Sequence, residues 1–170
     1  MKSSNKLEKA FIALLEQHKR LIVKIASSYF NTTVDRNDLI QEIILQLWKA
    51  FPKYDPEMTA STWVYRIALN TAISSFRKEQ NRKKKLSNYQ QKDTFLAWEE
   101  TAIDEKLNRL YDLISQLNPL EKGIIILHLE GCGNAEIADI IGISLSNVST
   151  KINRIKTKLI NNYKTTNPII

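Results

Sequence analysis

The chain has 170 residues, of which 25 are Lys or Arg and 18 are Asp or Glu, giving a net charge of +7. This length accommodates one domain or two small ones, and the basic surplus favours a polyanionic partner. Only four Gly and four Pro occur, and no alternating β-branched runs are present, which argues against a β-rich fold and predicts an all-α protein.

The cysteine content and the apolar pattern indicate the compartment. A single cysteine, Cys132, cannot form an internal disulfide, so a reducing compartment is expected. The first residues lack the apolar run of a signal peptide, and no stretch approaches the roughly 18 apolar residues of a membrane span. We therefore predict a cytoplasmic protein without membrane insertion.

Apolar residues at helical spacing predict three helices in the first half of the chain. The first contains Leu7, Phe11, Leu14, Leu15, Ile22 and Ile25. The second has Asp35 as its candidate N-cap and continues to about Phe51. The third is capped by Ser61 or Thr62, after a loop that Pro56 marks by disfavouring helical geometry before it.

A polar segment separates these helices from a second helical region, in which periodicity resumes at residue 103. Pro119 can start a further helix, and Gly131 and Gly133 can end it in a turn. Two more helices are predicted at about residues 135–141 and 146–159. The organisation is two small helical domains, residues 1–85 and 103–163, joined by a polar linker at 86–102 and followed by a tail at 164–170.

The last two helices have the spacing of a helix-turn-helix. Ala138 is small where the helices cross, Gly142 tolerates a left-handed turn four residues later, and Val148 faces back towards the first helix. No acid follows Asp139 in the sequence, so the exposed face is polar and basic, which a merely solvated helical hairpin would not require. The candidate DNA-contacting residues are Ser144 (or Ser146) as the cap, Ser146, Asn147, Ser149, Thr150, Lys151, Asn153 and Arg154.

The second helix shows one apolar residue within a polar arc. Leu45 lies on the face opposite the predicted buried arc, among polar and charged residues: Asp38, Gln41, Glu42, Gln46 and Lys49. That buried arc contains Leu39, Ile40, Ile43, Ile44, Leu47, Trp48 and Phe51. The pattern predicts a protein-docking surface, and the alternative is an isolated exposed leucine, which is common.

The third helix has an acid-free stripe opposite its apolar face. The stripe contains Trp63, Arg66, Asn70, Ser74 and Arg77. Arginines neutralise phosphates, amides bond to base edges and an indole stacks on an unpaired base, so the stripe predicts nucleic-acid binding. Residues 77–85, with six cations and one acid, extend the stripe.

These segments resemble a bacterial RNA polymerase sigma factor of the extracytoplasmic-function (ECF) type, in the sigma-70 family. Residues 35–48 resemble regions 2.1 and 2.2, which dock on the coiled coil of the polymerase β′ subunit. Residues 62–77 resemble regions 2.3 and 2.4, which open and read the minus-10 element. Residues 117–121, 136–138 and 148–154 resemble region 4, which reads the minus-35 element and touches the β flap.

The resemblance implies a role for each set of residues. The residues that would dock on polymerase are Asp38, Gln41, Glu42 and Leu45. Binding of the minus-10 strand is assigned to Arg66, Asn70 and Arg77 with the loop at residues 53–61, and the polar face of the last helix would bind the minus-35 duplex. Two positions depart from the family pattern, because Ala60 replaces the usual Phe and Ser74 the usual Asp.

The predicted function is a sigma factor that binds core RNA polymerase and promoter DNA and directs initiation, with an anti-sigma factor as a further partner implied by the resemblance. The alternative is a free-standing helix-turn-helix repressor or activator, which leaves the Leu45 surface unexplained. A DNA-modifying enzyme would need a supported nucleophile or a metal site. Asp38 and Glu42 have no evident third ligand, and His18 and His128 lie apart, so we predict no catalytic residues, metal or cofactor.

Overall fold

A computed structural model describes residues 2–86 and 105–166. Within these ranges the chain is helical, which confirms the predicted all-α class. The elements are α1 Lys2–Tyr29, α2 Thr33–Ala50, a 3₁₀ helix Phe51–Lys53, α3 Ala60–Lys85, α4 Glu105–Ser115, α5 Pro119–Leu129, α6 Asn134–Ile141 and α7 Leu145–Thr166. All of the predicted linker except residue 86, the predicted domain start at residue 103 and the last four residues of the tail lie outside the described residues.

The chain divides into two compact units, residues 1–78 and 79–170. In the first unit, α1, α2 and α3 bury their apolar faces, and burying each large aliphatic side chain contributes about 1.5–3 kcal/mol. The side chains with at most 2% exposure are Ile22, Ile25, Ala26, Leu39, Ile43, Leu47, Val64, Ala68, Leu69 and Ala72. No helix in the described part of the chain is long and apolar enough to cross a membrane.

Two helices begin at caps other than those predicted. Thr32 caps α2, because its Oγ1 accepts a hydrogen bond from the Asp35 amide at 3.1 Å and donates to the Asp35 carboxylate at 2.6 Å. Thr59 caps α3 by accepting from the Thr62 amide at 3.3 Å, so Ser61 is also inside the helix. A carboxylate in the first turn favours a helix N-terminus, which is why Asp35 has a cap-like sequence signature although it is not the cap.

The second unit contains the predicted helix-turn-helix. Gly142 ends α6 in the left-handed region with φ of 78°, and its amide donates to Ala138 O at 2.9 Å. Val148 is fully buried with Ile137, as the spacing requires. Ser144 caps α7 by accepting from the Asn147 amide at 3.2 Å, and α7 continues seven residues beyond the predicted end at residue 159.

The start of α5 is fixed by a capping box. Asn118 accepts from the Glu121 amide at 2.9 Å, and the Glu121 carboxylate accepts from the Asn118 amide at 3.1 Å. Pro119 occupies the first turn, as predicted. The same carboxylate lies 3.0 Å from Lys158 Nζ, which links the start of α5 to the middle of α7.

One buried cation was not predicted from the sequence. Lys122 in α5 is only 2% exposed, and burial lowers its pKa to about 8 from the ordinary value of 10.5. The unfolded chain therefore binds more protons than the folded chain between about pH 8 and 10.5. Loss of this excess of bound protons raises the free energy of unfolding as the pH rises through that window. At pH 7 the buried charged amine lowers the free energy of unfolding.

We expect Lys122→Met to raise the free energy of unfolding at pH 7 by about 1–2 kcal/mol, and to remove the gain in stability that the wild-type chain shows between pH 8 and 10. Urea unfolding across this pH range measures both effects. The exposed Lys156→Met variant is the control and should follow the wild-type curve. A Lys122→Met curve parallel to wild type would contradict the prediction.

Candidate protein and nucleic-acid interfaces

The four predicted docking residues lie on one side of α2. Asp38 and Gln41 are exposed, Leu45 is 44% exposed, and Glu42 is partly buried at the edge of the face. Gln46 Nε2 donates to Glu42 Oε1 at 2.7 Å, which holds this carboxylate along the helix. The polar arc that the sequence indicated is therefore a solvent-facing surface.

The predicted docking side of α2 is more apolar than the sequence indicated. Val34 is 70% exposed and Trp48 is 37% exposed, and with Asp38, Gln41 and Leu45 they follow the i, i+3, i+4 spacing of one helix face. The prediction that Trp48 is buried was wrong. Its ring packs edge-on against Phe11, with centroids 4.9 Å apart, and about a third of the residue's surface stays exposed. Leu45 is thus part of an apolar face rather than an isolated residue.

The stripe on α3 is only partly exposed to solvent. Asn70, Ser74 and Arg77 are exposed and Arg66 is partly buried, so these four share an accessible face. Trp63 does not, because it is 8% exposed. Its placement on the exposed stripe was wrong, and in this arrangement the indole is not available to stack on a base.

Aromatic rings from the segment before α3 cover Trp63. The Tyr54 ring lies 5.0 Å from the Trp63 ring and the Phe51 ring lies 6.2 Å from it, while Phe51 and Tyr54 stack at 6.3 Å. Phe51 also contacts Phe11 of α1 at 5.2 Å. A helical wheel treats α3 as isolated and cannot represent a preceding segment that folds back over it.

Hydrogen bonds hold the loop between the 3₁₀ helix and α3 in one conformation. Tyr54 Oη donates to Met58 O at 2.8 Å, and the Met58 amide donates to Asp55 O at 3.1 Å. The Glu57 amide donates to the Asp55 carboxylate at 2.9 Å. On the other side of the cap, Ser61 Oγ lies 3.2 Å from His18 Nε2 of α1. The predicted minus-10 loop is therefore an ordered segment anchored by Tyr54.

The polar face of α7 divides into solvent-facing residues and residues that hold the motif together. Ser144 uses its hydroxyl as the cap. Ser149 Oγ accepts from Asn134 Nδ2 of α6 at 3.1 Å and donates to Leu145 O at 3.2 Å. Lys151 is partly buried, and the remaining predicted DNA-contacting residues are exposed: Ser146, Asn147, Thr150, Asn153 and Arg154.

An open groove of about 500 Å³ runs along the same helix. It is lined by Asn153, Arg154, Thr157, Lys158 and Asn161. Lys158 reaches the groove although it pairs with Glu121, and its side chain is 47% exposed. Such a surface pair contributes little stability. The opening follows one face of α7 and is lined mainly by the aliphatic parts of these side chains, two of which end in cations.

The described ranges contain no cluster of metal-binding side chains. No group of three or more His, Cys, Asp or Glu side chains that could hold a metal occurs within residues 2–86 and 105–166. Cys132 lies in the turn between α5 and α6, where burial and Glu136 raise the pKa of the thiol to about 11. It is therefore protonated and a poor nucleophile at neutral pH.

Comparison with known proteins identifies both units. Residues 14–82 match the Sigma-70 region 2 family model, and residues 107–159 match the Sigma-70 region 4 family model. The chain belongs to the sigma-70 family. It is an RNA polymerase sigma factor of the ECF type and directs promoter-specific initiation, and a free-standing repressor or activator is not favoured.

Curated relatives span nearly the whole chain. The sigma factor CnrH of Cupriavidus metallidurans is 24% identical over 163 residues, covering 89% of this chain and 85% of the relative. SigS of Staphylococcus aureus is 25% identical over 155 residues, covering 91% of this chain and 99% of the relative.

Two solved structures share the fold. CnrH in complex with the cytosolic domain of CnrY has a TM-score of 0.68 at 21% identity, covering 93% of this chain and 90% of that chain. The sigma factor RpoE of Bartonella quintana, in complex with the anti-sigma factor NepR, has a TM-score of 0.77 at 18% identity, covering 92% of this chain and 98% of that chain.

The burial of Trp63 gives it a structural role, whereas the exposed residues of the α3 stripe remain candidates for DNA contact. We expect Trp63→Ala to lower the free energy of unfolding by about 3–5 kcal/mol, because it empties the site between Phe51 and Tyr54. Asn70→Ala, on the exposed part of the stripe, should change it by less than about 0.5 kcal/mol. Urea unfolding followed by circular dichroism measures both. Equal stability of the two variants would show that the ring cluster does not support the fold.

Proposed function

We propose that this sigma factor docks on core polymerase through the α2 face formed by Val34, Asp38, Gln41, Leu45 and Trp48, with Glu42 at its edge. The observation that carries the proposal is the composition of this face. Three exposed apolar side chains share the face with an acid and an amide, on a chain whose net charge is +7. Apolar groups surrounded by polar ones are typical of protein interfaces, and the acids disfavour DNA as the occupant.

We assign the minus-10 contact to Arg66, Asn70, Ser74 and Arg77 of α3, together with the anchored loop at residues 53–61. Extracting a base from the duplex costs a few kcal/mol, which phosphate and base contacts must offset. The loop is already fixed by the Tyr54 hydroxyl, so little further ordering is needed when the strand binds. Trp63 acts in this scheme as the support under the loop.

We assign the minus-35 contact to the exposed residues of α7: Ser146, Asn147, Thr150, Asn153 and Arg154, with Lys151 beside them. The N-terminal half of this helix would enter the major groove, and the groove beside Arg154 would take backbone phosphates. Each contact is weak by itself. When one polymerase holds both the α3 and the α7 contact surfaces, the second DNA-binding step becomes intramolecular, and the overall affinity for the promoter rises.

In this scheme the sigma factor supplies recognition and strand capture, while the polymerase supplies the phosphoryl-transfer chemistry. The factor therefore needs no catalytic centre or cofactor, and it works in the cytoplasm, where polymerase and chromosome meet. The factor without core enzyme should give no transcript in a run-off assay.

Charge reversal tests the docking face. We expect the Asp38→Lys, Glu42→Lys double variant to weaken binding to core polymerase by about two orders of magnitude, because it turns the attraction that we propose between these acids and a basic partner site into repulsion. Binding is measured by fluorescence anisotropy of labelled factor titrated with core enzyme, and circular dichroism checks that the variant is folded.

The matched control is Glu8→Lys, Glu16→Lys on exposed positions of α1, which changes the net charge by the same amount. It should bind core polymerase within about twofold of wild type. If the α2 variant binds as well as this control, the docking face is wrongly assigned.

We further propose an anti-sigma factor as a regulator, since the structures of CnrH and RpoE were solved with CnrY and NepR, the latter named as an anti-sigma factor. We expect it to compete with core polymerase for this chain. A protein captured with the tagged factor from uninduced cells should reduce run-off transcription when added back, and excess core enzyme should restore it. A captured protein that leaves transcription unchanged would contradict this assignment.

A further inference from the structure

An exposed leucine occupies the first position of the DNA-facing helix. Leu145 is the first residue of α7 and is 53% exposed. The packing of the helix start does not use it, because the partly buried Ile143 and the fully buried Val148 occupy the two positions of a hydrophobic staple on either side of the cap. Its neighbours Ser144, Ser146 and Asn147 are polar and exposed.

Hydrogen bonds to both sides fix the position of Leu145. Ser144 caps the turn in which it lies, through the Asn147 amide at 3.2 Å. Its own carbonyl accepts from Ser149 Oγ at 3.2 Å, and Ser149 in turn accepts from Asn134 Nδ2 of α6 at 3.1 Å. The backbone of the turn that holds Leu145 is therefore fixed, and a residue that recognises a ligand needs such a fixed position.

The same bonds engage two of the hydroxyls near this turn. The hydroxyls of Ser144 and Ser149 bond within the motif, and Leu145 is exposed beside the polar side chains of Ser146 and Asn147, so it adds an apolar contact to their polar ones. The charge around it favours nucleic acid over an apolar protein surface, since Lys151, Arg154 and Lys156 follow and no acid occurs after Asp139. In the major groove of DNA the apolar group on a base edge is the C5-methyl of thymine.

We propose that Leu145 contacts the C5-methyl group of a thymine in the minus-35 duplex and thereby selects thymine at that base pair. This inference rests on the proposed function, in which α7 enters the major groove. To the polar residues assigned above it adds one apolar residue that determines specificity.

Removing the methyl group from the DNA tests the contact directly. The probe is the minus-35 duplex of a promoter that the holoenzyme transcribes, with each thymine replaced in turn by uracil. For the wild-type holoenzyme, one replacement should weaken binding by about fourfold, the effect of losing one buried methyl group. For Leu145→Ala, binding to the thymine duplex should be weakened, and the same replacement should have no further effect.

Leu129→Ala is the matched control, because Leu129 is 54% exposed at the end of α5. At saturating core enzyme it should respond to uracil as wild type does. If the holoenzyme binds none of the duplexes, the assignment of α7 as the DNA reader fails. If it binds them but no replacement matters, or Leu145→Ala loses as much affinity as wild type at every thymine, the Leu145 contact alone is overturned.

Discussion

In the first unit, a cluster of aromatic rings connects the helix face proposed to bind polymerase with the loop proposed to bind the minus-10 strand. Trp48 of α2 contacts Phe11 of α1, Phe11 contacts Phe51, and Phe51 and Tyr54 together cover Trp63. The cluster begins at the proposed docking face and ends beneath the loop proposed to hold the minus-10 strand. Aromatic pairs contribute about 0.5–1.5 kcal/mol beyond their burial, so this contact set is a large part of what positions the loop.

In the second unit the equivalent constraint is the crossing of α6 and α7. Gly142 accepts a left-handed conformation that a side chain would disfavour by about 1–2 kcal/mol, and this sets the angle at which α7 leaves the turn. The Asn134–Ser149 hydrogen bond then fixes the start of α7 against α6. Two residues with the sequence signature of DNA contacts, Ser144 and Ser149, thus have a structural use, and the residues around them are available for recognition.

Periodicity and turn chemistry were sufficient to predict most of the fold. The apolar arcs of α1, α2 and α3, the proline that opens α5 and the Ala138–Gly142–Val148 spacing depend on local geometry, which the sequence expresses directly. The two tryptophans were assigned to the wrong sides because a helical wheel shows one helix and not its neighbours. Trp63 is covered by residues that precede its helix. Trp48 lies at the margin of the core, where the helices of the unit leave part of it exposed. Lys122 was missed because a single cation in an apolar helix reads as a solvent-facing residue until the packing around it is known.

The two tryptophans differ in a way that provides an intrinsic optical signal. An indole that is more than a third open to water emits at longer wavelength and is quenched by small solutes, whereas Trp63, 8% exposed, is shielded from both effects. Burial of Trp48 against a partner would shift its emission to shorter wavelength, while Trp63 would keep its own. In a chain with the third tryptophan, Trp98, replaced by Phe, binding of a partner fragment that lacks tryptophan therefore has a spectroscopic readout that needs no attached dye.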